Sequence, residues 1–286
     1  MTLPKISVVT PSLNQARFLE ETIESIHGQG YPNLEHIVID GGSEDGTVDI
    51  LARNDSRIAH WVSEPDAGQT DALAKGFSWA TGDILCWLNS DDLFSPTTLR
   101  EVAEFFAADR DTRFVYGDSQ WIDIEGNFIK PKREHRWNRF VWLNDHNYIP
   151  QPSTFWTSGL FEEVGGLDTS FDLAMDADLW IRFSEVTRPR HSGRVWSSMR
   201  FYAEQKNTRM RERSIQEMQV IRDRYQEGSS RLAGSVRRIG ARPLRITLKA
   251  LEGGYGGGEL RRHLPHLLGR GSWETSVAES PEDQSS

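Results

Sequence analysis

The sequence is poor in cysteine and in long apolar runs. Its single cysteine, Cys86, leaves no disulfide framework, which is typical of a protein in a reducing compartment. No segment approaches the roughly 18 apolar residues of a membrane-spanning helix, and residues 1–5 lack the apolar stretch of a signal peptide. We therefore expect a cytoplasmic protein, either soluble or peripheral at the inner face of the cell membrane.

An excess of positive charge and a glycine-rich phosphate loop are also missing. The net charge of -9 argues against a general nucleic-acid binder. The first predicted strand leads into Thr10–Arg17, which contains no glycine, so a dinucleotide-binding dehydrogenase is disfavoured. A sugar nucleotidyltransferase is disfavoured for the same reason, because such enzymes usually carry a glycine-rich basic loop at this point.

Strand and helix patterns alternate from residue 6 to residue 116. Apolar runs such as Ile6–Thr10 and Ile84–Leu88 predict buried strands, and the segments between them repeat apolar residues at helical spacing. This alternation predicts an α/β fold with a mostly parallel, Rossmann-like sheet flanked by helices. Further along, a hairpin is expected around Glu125–Asn127 and a helix is expected from Met175.

Polar residues follow three of the predicted strands. They are Thr10 and Pro11, then Asp40, and then the tetrad Asn89, Ser90, Asp91 and Asp92. Ligands of such sheets bind beyond the carboxyl ends of the strands, so these residues are expected to converge on one crevice. Adjacent carboxylates raise each other's pKa unless a cation neutralises them, and Mg2+ or Mn2+ prefers such oxygens. The tetrad therefore indicates a metal-diphosphate site. Two alternatives stay open: the acids cap the next helix, and Asp40 only forms a turn.

Several motifs occur in an order that resembles family 2 glycosyltransferases of the GT-A fold. Between Ile6 and about Thr208 they are Val38–Thr47, Ser63–Gln69, Ala80–Asp83, Asn89–Asp92, Gln151–Phe155 and Met175–Trp180. The resemblance implies inverting transfer of a sugar from a nucleotide-diphosphate sugar to an acceptor hydroxyl, with Mn2+ or Mg2+ as the cofactor. By the same analogy, the acceptor is a glycan or lipid-linked intermediate of cell-surface polysaccharide or lipopolysaccharide synthesis.

The resemblance also assigns roles on the donor side. It implies that the nucleotide sugar contacts Thr10, Pro11, Asp40, Asn89, Ser90 and Asp91. Asp92, assisted by Asp91, is the implied metal ligand. Lys75 could compensate phosphate charge, although a surface lysine is the default interpretation. Tyr202 stands where relatives often carry a histidine close to the diphosphate or metal. Tyrosine still donates a hydrogen bond to phosphate but is a poor metal ligand at neutral pH, which leaves the third protein ligand unassigned.

On the acceptor side, the resemblance implies that Asp176 is the general base that activates the acceptor hydroxyl. Asp178 is the second candidate, but it could instead pair with Arg182, four residues further along a helix. Gln151 is expected to line the acceptor side, and Trp180 either stacks on a sugar ring or belongs to the core.

The chain divides into three predicted segments. Residues 1–226 form the GT-A domain, with a nucleotide-binding half at about 1–118 and an acceptor half at about 119–208. Residues 227–271 form a basic amphipathic C-terminal helical extension. Residues 272–286 form a disordered acidic tail. Residues 231–271 hold nine Lys or Arg against two Glu, a local net charge of +7 (9 minus 2). The extension either contacts an anionic membrane surface or is an appendage with a solvated basic face. Pro243 and the glycines are expected to interrupt any single helix.

Two further functions stay open beside the glycosyltransferase. One is a sugar nucleotidyltransferase, which would share the alternating sheet and the metal. The other is a non-catalytic module that binds nucleotide sugars on the same fold, although the retained Asp91, Asp92 and Asp176 argue against it.

Overall fold

The strands and helices are described from a computed structural model that covers residues 3–203, 205–226 and 231–254. In chain order they are β1 (Ile6–Ser12), α1 (Ala16–His27), β2 (Leu34–Asp40), α2 (Thr47–Arg53), β3 (His60–Ser63), α3 (Gln69–Trp79), β4 (Ile84–Trp87), β5 (Leu93–Phe94), α4 (Thr98–Ala108), β6 (Phe114–Ile122), β7 (Phe128–Lys132), α5 (Arg139–Asn144), a 3-10 turn (Gln151–Ser153), β8 (Thr154–Thr157), α6 (Ser158–Glu163), α7 (Met175–Val186), β9 (Arg190–Arg200), α8 (Lys206–Arg209), α9 (Arg211–Tyr225) and α10 (Arg231–Leu251). The predicted acidic tail, 272–286, lies outside the described residues.

The sheet is mixed, with strand order β3-β2-β1-β4-β8-β6-β9-β5 and with β7 paired to β6. Strands β3, β2, β1 and β4 are parallel, as the alternation of strands and helices predicts. Strand β6 does not continue this parallel half, because β8 inserts antiparallel between β4 and β6. The carboxyl ends of β1, β2 and β4 therefore share one edge of the sheet, and the second half of the chain builds the remainder.

Helix α3 lies unusually close to the sheet. A Cβ atom on Gly76 would lie only 2.4 Å from Cγ1 of Val9, so only glycine allows this approach. Leu73 and Phe77, on the same helix, are buried in the core beneath it. The close packing places the first residue of α3, Gln69, at the sheet edge where β1 and β4 end.

Aromatic side chains fill the core between the sheet and α7. The ring of Trp180 stacks between Trp87, with ring centroids 5.4 Å apart, and Phe114, at 5.1 Å. Cys86 lies on the opposite face of β4 from Trp87 and is completely buried, with its Sγ 3.7 Å from the carbonyl oxygen of Ser7. Trp180 has no exposed surface. Its interpretation as a core residue is therefore confirmed, and the prediction that it stacks on a sugar is wrong.

Helix α10 runs through Pro243 without interruption, so the prediction of a break at this residue is wrong. Proline removes one helical hydrogen bond and costs about 3 kcal/mol in a helix interior. Packing offsets this cost, because Ile246 is completely buried and Leu244 and Leu248 pack against the main core. Arg245 pairs with Asp145, which ties α10 to the end of α5. Within the described ranges, no helix combines the length and apolarity that crossing a membrane requires.

Candidate active site

A cavity of about 1280 Å³ opens at the sheet edge where β1 and β4 end. Its lining includes Pro11, Asn89, Ser90, Asp91, Asp92, Gln151, Asp176 and Tyr202. The convergence of the first and third polar strand ends is therefore observed, and residues from the second half of the chain join them. Three lining residues belong to one polar network, because Asn89 accepts a hydrogen bond from Gln69 (2.9 Å) and donates one to Gln151 (3.2 Å).

Asp91 and Asp92 are held in place by β9 and the segment after it. The hydroxyl of Tyr202 donates to Oδ2 of Asp91 at 2.9 Å, and the backbone N–H of Arg200 donates to Oδ1 of Asp92 at 3.0 Å. Thr22 of α1 donates to the carbonyl oxygens of Ser90 and Asp92, which fixes the backbone of the tetrad. Strand β5 follows directly and α4 begins only at Thr98, so the two acids do not cap that helix.

Burial raises the pKa of both Asp91 and Asp92, and the neighbouring Asp91 raises the pKa of Asp92 further. Hydrogen bonds from a phenol, an amide and a backbone N–H oppose this rise, as does the nearby guanidinium of Arg200, but burial outweighs them. Two adjacent carboxylates of this kind fit a hard divalent cation whose other ligands come from water or from substrate phosphates. Among the described residues, no group of three or more His, Cys, Asp or Glu surrounds a metal position.

Arg200, the last residue of β9, supports the tetrad and was not identified from the sequence. Its side chain is 1% exposed and donates to the carbonyl oxygens of Asp91, Asp123 and Ile124 and to the carboxylate of Glu21. The guanidinium therefore binds the end of β4 to the β6–β7 turn and to α1. Its place two residues before Tyr202, the position where relatives often carry a histidine, is the feature of the sequence that could have identified it.

Asp176 reaches the cavity from the first turn of α7. Nδ2 of Asn147 donates to its Oδ2 at 2.9 Å, and the backbone N–H of Ala177 donates to its Oδ1 at 2.7 Å. Burial raises the pKa of Asp176 to about 6, although these two donors oppose the rise. A carboxyl with such a pKa is ionised at neutral pH and is a stronger base than an ordinary aspartate. Like Arg200, Asn147 was not identified from the sequence, because a lone Asn carries no distinctive pattern.

A second cavity of about 340 Å³ also opens onto Asp176. It shares Asn147 and Leu173 with the larger cavity, and Ile215 and Met218 of α9 add an apolar wall. Asp176 thus lies where two cavities meet, so that two different molecules could approach its carboxyl from different sides.

Asp178 does not line either cavity, so its assignment to the acceptor side is wrong. It is completely buried and pairs with Arg182 at 2.6 Å and with Arg224 of α9 at 3.2 Å. The pair with Arg182 was the structural alternative. Asp178 therefore joins α7 to α9.

Lys75 does not line the large cavity either, because its amino group pairs with Glu64 near the surface. The default interpretation as a surface lysine holds for it. Thr10 is completely buried, and its hydroxyl lies 3.0 Å from Nε2 of His36 behind the cavity wall. Thr10 does not line the cavity, so the structure does not support its predicted contact with a nucleotide.

Asp40 is also completely buried. Its carboxylate accepts hydrogen bonds from the backbone N–H and hydroxyl of Ser43 and from the hydroxyl of Ser63. The structure favours the turn that the sequence left as the alternative, and a contact between Asp40 and a nucleobase stays a prediction.

The sheet is mixed, with a parallel first half, and one cavity holds the paired carboxylates after β4 and a third carboxyl. This is the arrangement of a GT-A glycosyltransferase. Solved structures agree on the fold. Staphylococcus aureus TarS 1–349 in complex with UDP matches with a TM-score of 0.62 and 15% identity over 92% of this chain and 79% of that chain. The mannosyltransferase PcManGT from Pyrobaculum calidifontis, in complex with GDP-Man and Mn2+, matches with a TM-score of 0.62 and 19% identity over 94% and 84%. The chain covers 43% of a longer TarS chain.

Sequence comparisons establish the family. The model of glycosyl transferase family 2 matches residues 7–161, more than half of the chain. An uncharacterized glycosyltransferase of Mycobacterium tuberculosis is 32% identical over 65% of this chain and 71% of its own length. A PGL/p-HBAD biosynthesis glycosyltransferase of Mycobacterium bovis is 32% identical over 67% and 75%, and the O-antigen biosynthesis protein RfbC of Myxococcus xanthus is 31% identical over 64% and 15%. The chain belongs to glycosyl transferase family 2, and the predicted family and GT-A fold are confirmed.

Proposed function

We propose that the protein transfers a sugar, with inversion, from a nucleotide-diphosphate sugar to an acceptor hydroxyl. The observation that carries this proposal is that Asp176 and the pair Asp91–Asp92 line one cavity from different elements. A cation-binding pair and a separate base are the two groups that an inverting transfer needs. The nucleotides in the neighbouring structures, UDP and GDP-Man, support a nucleotide-sugar donor without identifying the one used here.

The donor would lie between the end of β1 and the tetrad. Asp92 and Asp91 would hold Mn2+ or Mg2+, which when bound neutralises charge on a diphosphate leaving group. Tyr202 keeps Asp91 oriented toward the cavity through its hydroxyl. The hydrogen-bonded side chains of Gln69, Asn89 and Gln151 form the floor between the donor and the acceptor half.

In the transfer step, the acceptor hydroxyl gives its proton to the carboxylate of Asp176 as its oxygen attacks the anomeric carbon. The bond from that carbon to the diphosphate oxygen breaks on the opposite face, and the nucleotide diphosphate leaves with the bonding electrons. The raised pKa of Asp176 suits this role, because a base with a pKa near the working pH accepts a proton readily and is still ionised.

The acceptor would enter through the second cavity, which reaches Asp176 from the side of α9. Its apolar wall of Leu173, Ile215 and Met218 suits an acceptor with an apolar portion next to the reacting hydroxyl. A glycan or lipid-linked acceptor agrees with relatives named for O-antigen and PGL/p-HBAD biosynthesis.

The first experiment is a thermal-shift screen of UDP, GDP and dTDP, each with and without Mn2+ or Mg2+. A stabilisation that needs both the nucleotide and the metal, and that disappears in Asp92→Asn, supports the donor site. Sugar nucleotides that contain the stabilising nucleobase are then tested for hydrolysis and transfer. Pyrophosphate release from a nucleoside triphosphate and a sugar phosphate would instead indicate a nucleotidyltransferase, and nucleotide binding without any turnover would indicate a non-catalytic module.

The second experiment tests the role of Asp176 as the general base. We expect Asp176→Asn to lower turnover by about 100-fold or more, because general-base catalysis contributes on that order, and to keep the thermal shift with nucleotide and metal. Asp111→Asn, an exposed carboxyl that does not line either cavity, is the matched control and should retain wild-type turnover. Full transfer by Asp176→Asn would show that another group accepts the proton.

A further inference from the structure

Asn147 lies between a buried indole and the carboxyl of Asp176. Nε1 of Trp142 donates to Oδ1 of Asn147 at 3.3 Å, and Nδ2 of Asn147 donates to Oδ2 of Asp176 at 2.9 Å. An indole N–H can only donate, so the amide oxygen must face Trp142 and the NH2 group must face Asp176. The orientation of the amide is therefore determined by a residue that is completely buried and lines neither cavity.

We propose that Asn147 is a positioning residue that keeps the carboxyl of Asp176 oriented and ionised, and that Trp142 fixes the amide in the orientation that this requires. This inference rests on the proposed function, in which Asp176 is the base.

The segment that carries Asn147 is itself held from three directions. The backbone N–H of Asp145 donates to Val141 of α5 at 2.8 Å, its carbonyl oxygen accepts from Arg222 of α9 at 2.7 Å, and its carboxylate pairs with Arg245 of α10. A segment fixed by three helices can hold one amide at a constant distance from the base. A loop held only at its ends would let the amide move away.

The hydrogen bond from Asn147 to Asp176 is important because few other groups favour the charged form of Asp176. Burial raises its pKa, and the donors that oppose the rise are Asn147 and backbone N–H groups. Loss of one such donor shifts the balance toward the neutral acid, which cannot accept a proton. Around Asp176, the smaller cavity is also lined by His146 and Arg222, and the larger by Asp172 and Lys206, which pair with each other at 2.6 Å.

The test measures the ionisation of Asp176 directly, by carboxyl carbon NMR of the full chain labelled with [13C]aspartate, titrated from pH 4 to pH 8 without nucleotide or metal. The spectrum of Asp176→Asn identifies the resonance by its loss. We expect Asn147→Leu to raise the midpoint by about one pH unit, since one hydrogen bond to a charged group has an effect of that order. Asn147→Asp, which keeps the shape but places a second carboxyl there, should raise it further.

Trp142→Phe keeps a large aromatic ring and removes only the N–H donor, so a smaller rise in the same direction is expected. This variant keeps Asn147 and removes only the group that orients its amide, so it tests whether the orientation of the amide affects the ionisation of Asp176. Asn127→Leu is the matched control, because Asn127 makes the same kind of bond to Asp123 (3.0 Å) in the exposed hairpin turn. It should leave the midpoint of Asp176 unchanged. Thermal melts establish that each variant is folded at the pH values used.

An unchanged Asp176 midpoint in folded Asn147→Leu would overturn the inference, whatever the activity of that variant. A shifted midpoint would support it and should be matched by an equal shift of the acid limb of sugar-nucleotide hydrolysis, measured with UDP-glucose, UDP-N-acetylglucosamine and GDP-mannose. Full turnover by Asp176→Asn would instead overturn the base assignment in the proposed function. The titration would then still decide whether Asn147 controls the ionisation of Asp176.

Discussion

At the scale of single residues, the raised pKa of Asp176, the proposed base, weakens the fold at neutral pH. The pKa of Asp176 lies at about 6 in the folded protein, against an ordinary value of 3.8. Between about pH 4 and pH 6 the unfolded chain releases this proton while the folded chain keeps it, so folding stability falls as the pH rises through this window. Above the folded pKa the loss is complete.

We therefore expect Asp176→Asn to be more stable than the wild type at pH 8, by about 1–2 kcal/mol, and equally stable at pH 4. Calorimetric melts at the two pH values measure this difference. Asp178→Asn should instead lower the melting temperature, because it removes the completely buried carboxylate that pairs with Arg182 and with Arg224 of α9. A lower melting temperature of Asp176→Asn at pH 8 would contradict the assignment of a raised pKa.

Tyr202 gives a second prediction at this scale. Its hydroxyl bonds to Asp91 but is a poor ligand for a cation. Titration calorimetry of Mn2+ in the presence of the nucleotide diphosphate found by the screen should show tighter binding by Tyr202→His, because imidazole adds a ligand beside the two carboxylates. Tyr202→Phe, which keeps the ring and loses the hydroxyl, should bind Mn2+ no more tightly than the wild type. Equal affinity of all three proteins would place residue 202 away from the cation.

The resemblance to the family indicated Asp176 as the residue of α7 at the cavity, where the structure has it, but it also kept Asp178 on the acceptor side. Residues two apart on a helix point in nearly opposite directions, so either Asp176 or Asp178 could face the cavity, but not both. Long-range contacts decide which acid is buried, among them the pair between Asp178 and Arg224 of α9. That contact joins residues 46 positions apart, and no local pattern contains it.

At the scale of elements, the strand ends of the first half were predictable because helices and strands there alternate regularly. The position of β8 between β4 and β6 was not, since antiparallel insertion depends on long-range pairing such as Leu85 with Trp156. The continuity of α10 through Pro243 was missed for a related reason. Local propensity argues for a break, and only the packing of Ile246 against the domain explains why none occurs.

Strand β9 supplies the prediction at this scale, because its last residue anchors three other elements. Arg200→Lys removes the planar guanidinium group, which donates hydrogen bonds to three carbonyl oxygens and one carboxylate. The amino group of lysine cannot make all of these bonds. We expect a loss of about 3 kcal/mol in urea unfolding and weaker nucleotide binding. Arg190→Lys, at the start of the same strand in a more exposed pair with Asp109, is the control and should change stability by less than about 1 kcal/mol. Equal effects of the two substitutions would show that Arg200 is not an anchor.

At the scale of the whole molecule, charge is distributed unevenly. The chain carries a net charge of -9, yet residues 231–271 carry +7. The apolar residues Leu244, Ile246 and Leu248 of α10 pack against the domain and are not available to enter a bilayer. Ile239 and Leu251 of the same helix are exposed, so an attraction of α10 to a membrane would combine charge with these two apolar side chains. Its electrostatic part would weaken as salt is added.

We expect sedimentation with vesicles that contain anionic lipid at low salt, little sedimentation with neutral vesicles, and loss of binding as the ionic strength rises. The double substitution Arg237→Gln and Arg238→Gln should reduce this binding. The control is the double substitution Arg53→Gln and Arg57→Gln. It removes the same charge from two surface ion pairs that lie far from α10 in the sequence. Equal binding by the two double variants would exclude a specific role for the C-terminal helix.

The burial of Cys86 has a practical consequence for future work. It is the only thiol in the chain, and burial raises its pKa well above the ordinary value, so it is unreactive toward maleimides in the folded protein. A cysteine introduced at exposed Leu13, on the rim of the large cavity, could therefore carry a fluorophore without removal of the native one. Such a labelled enzyme would report the arrival and departure of ligands in real time.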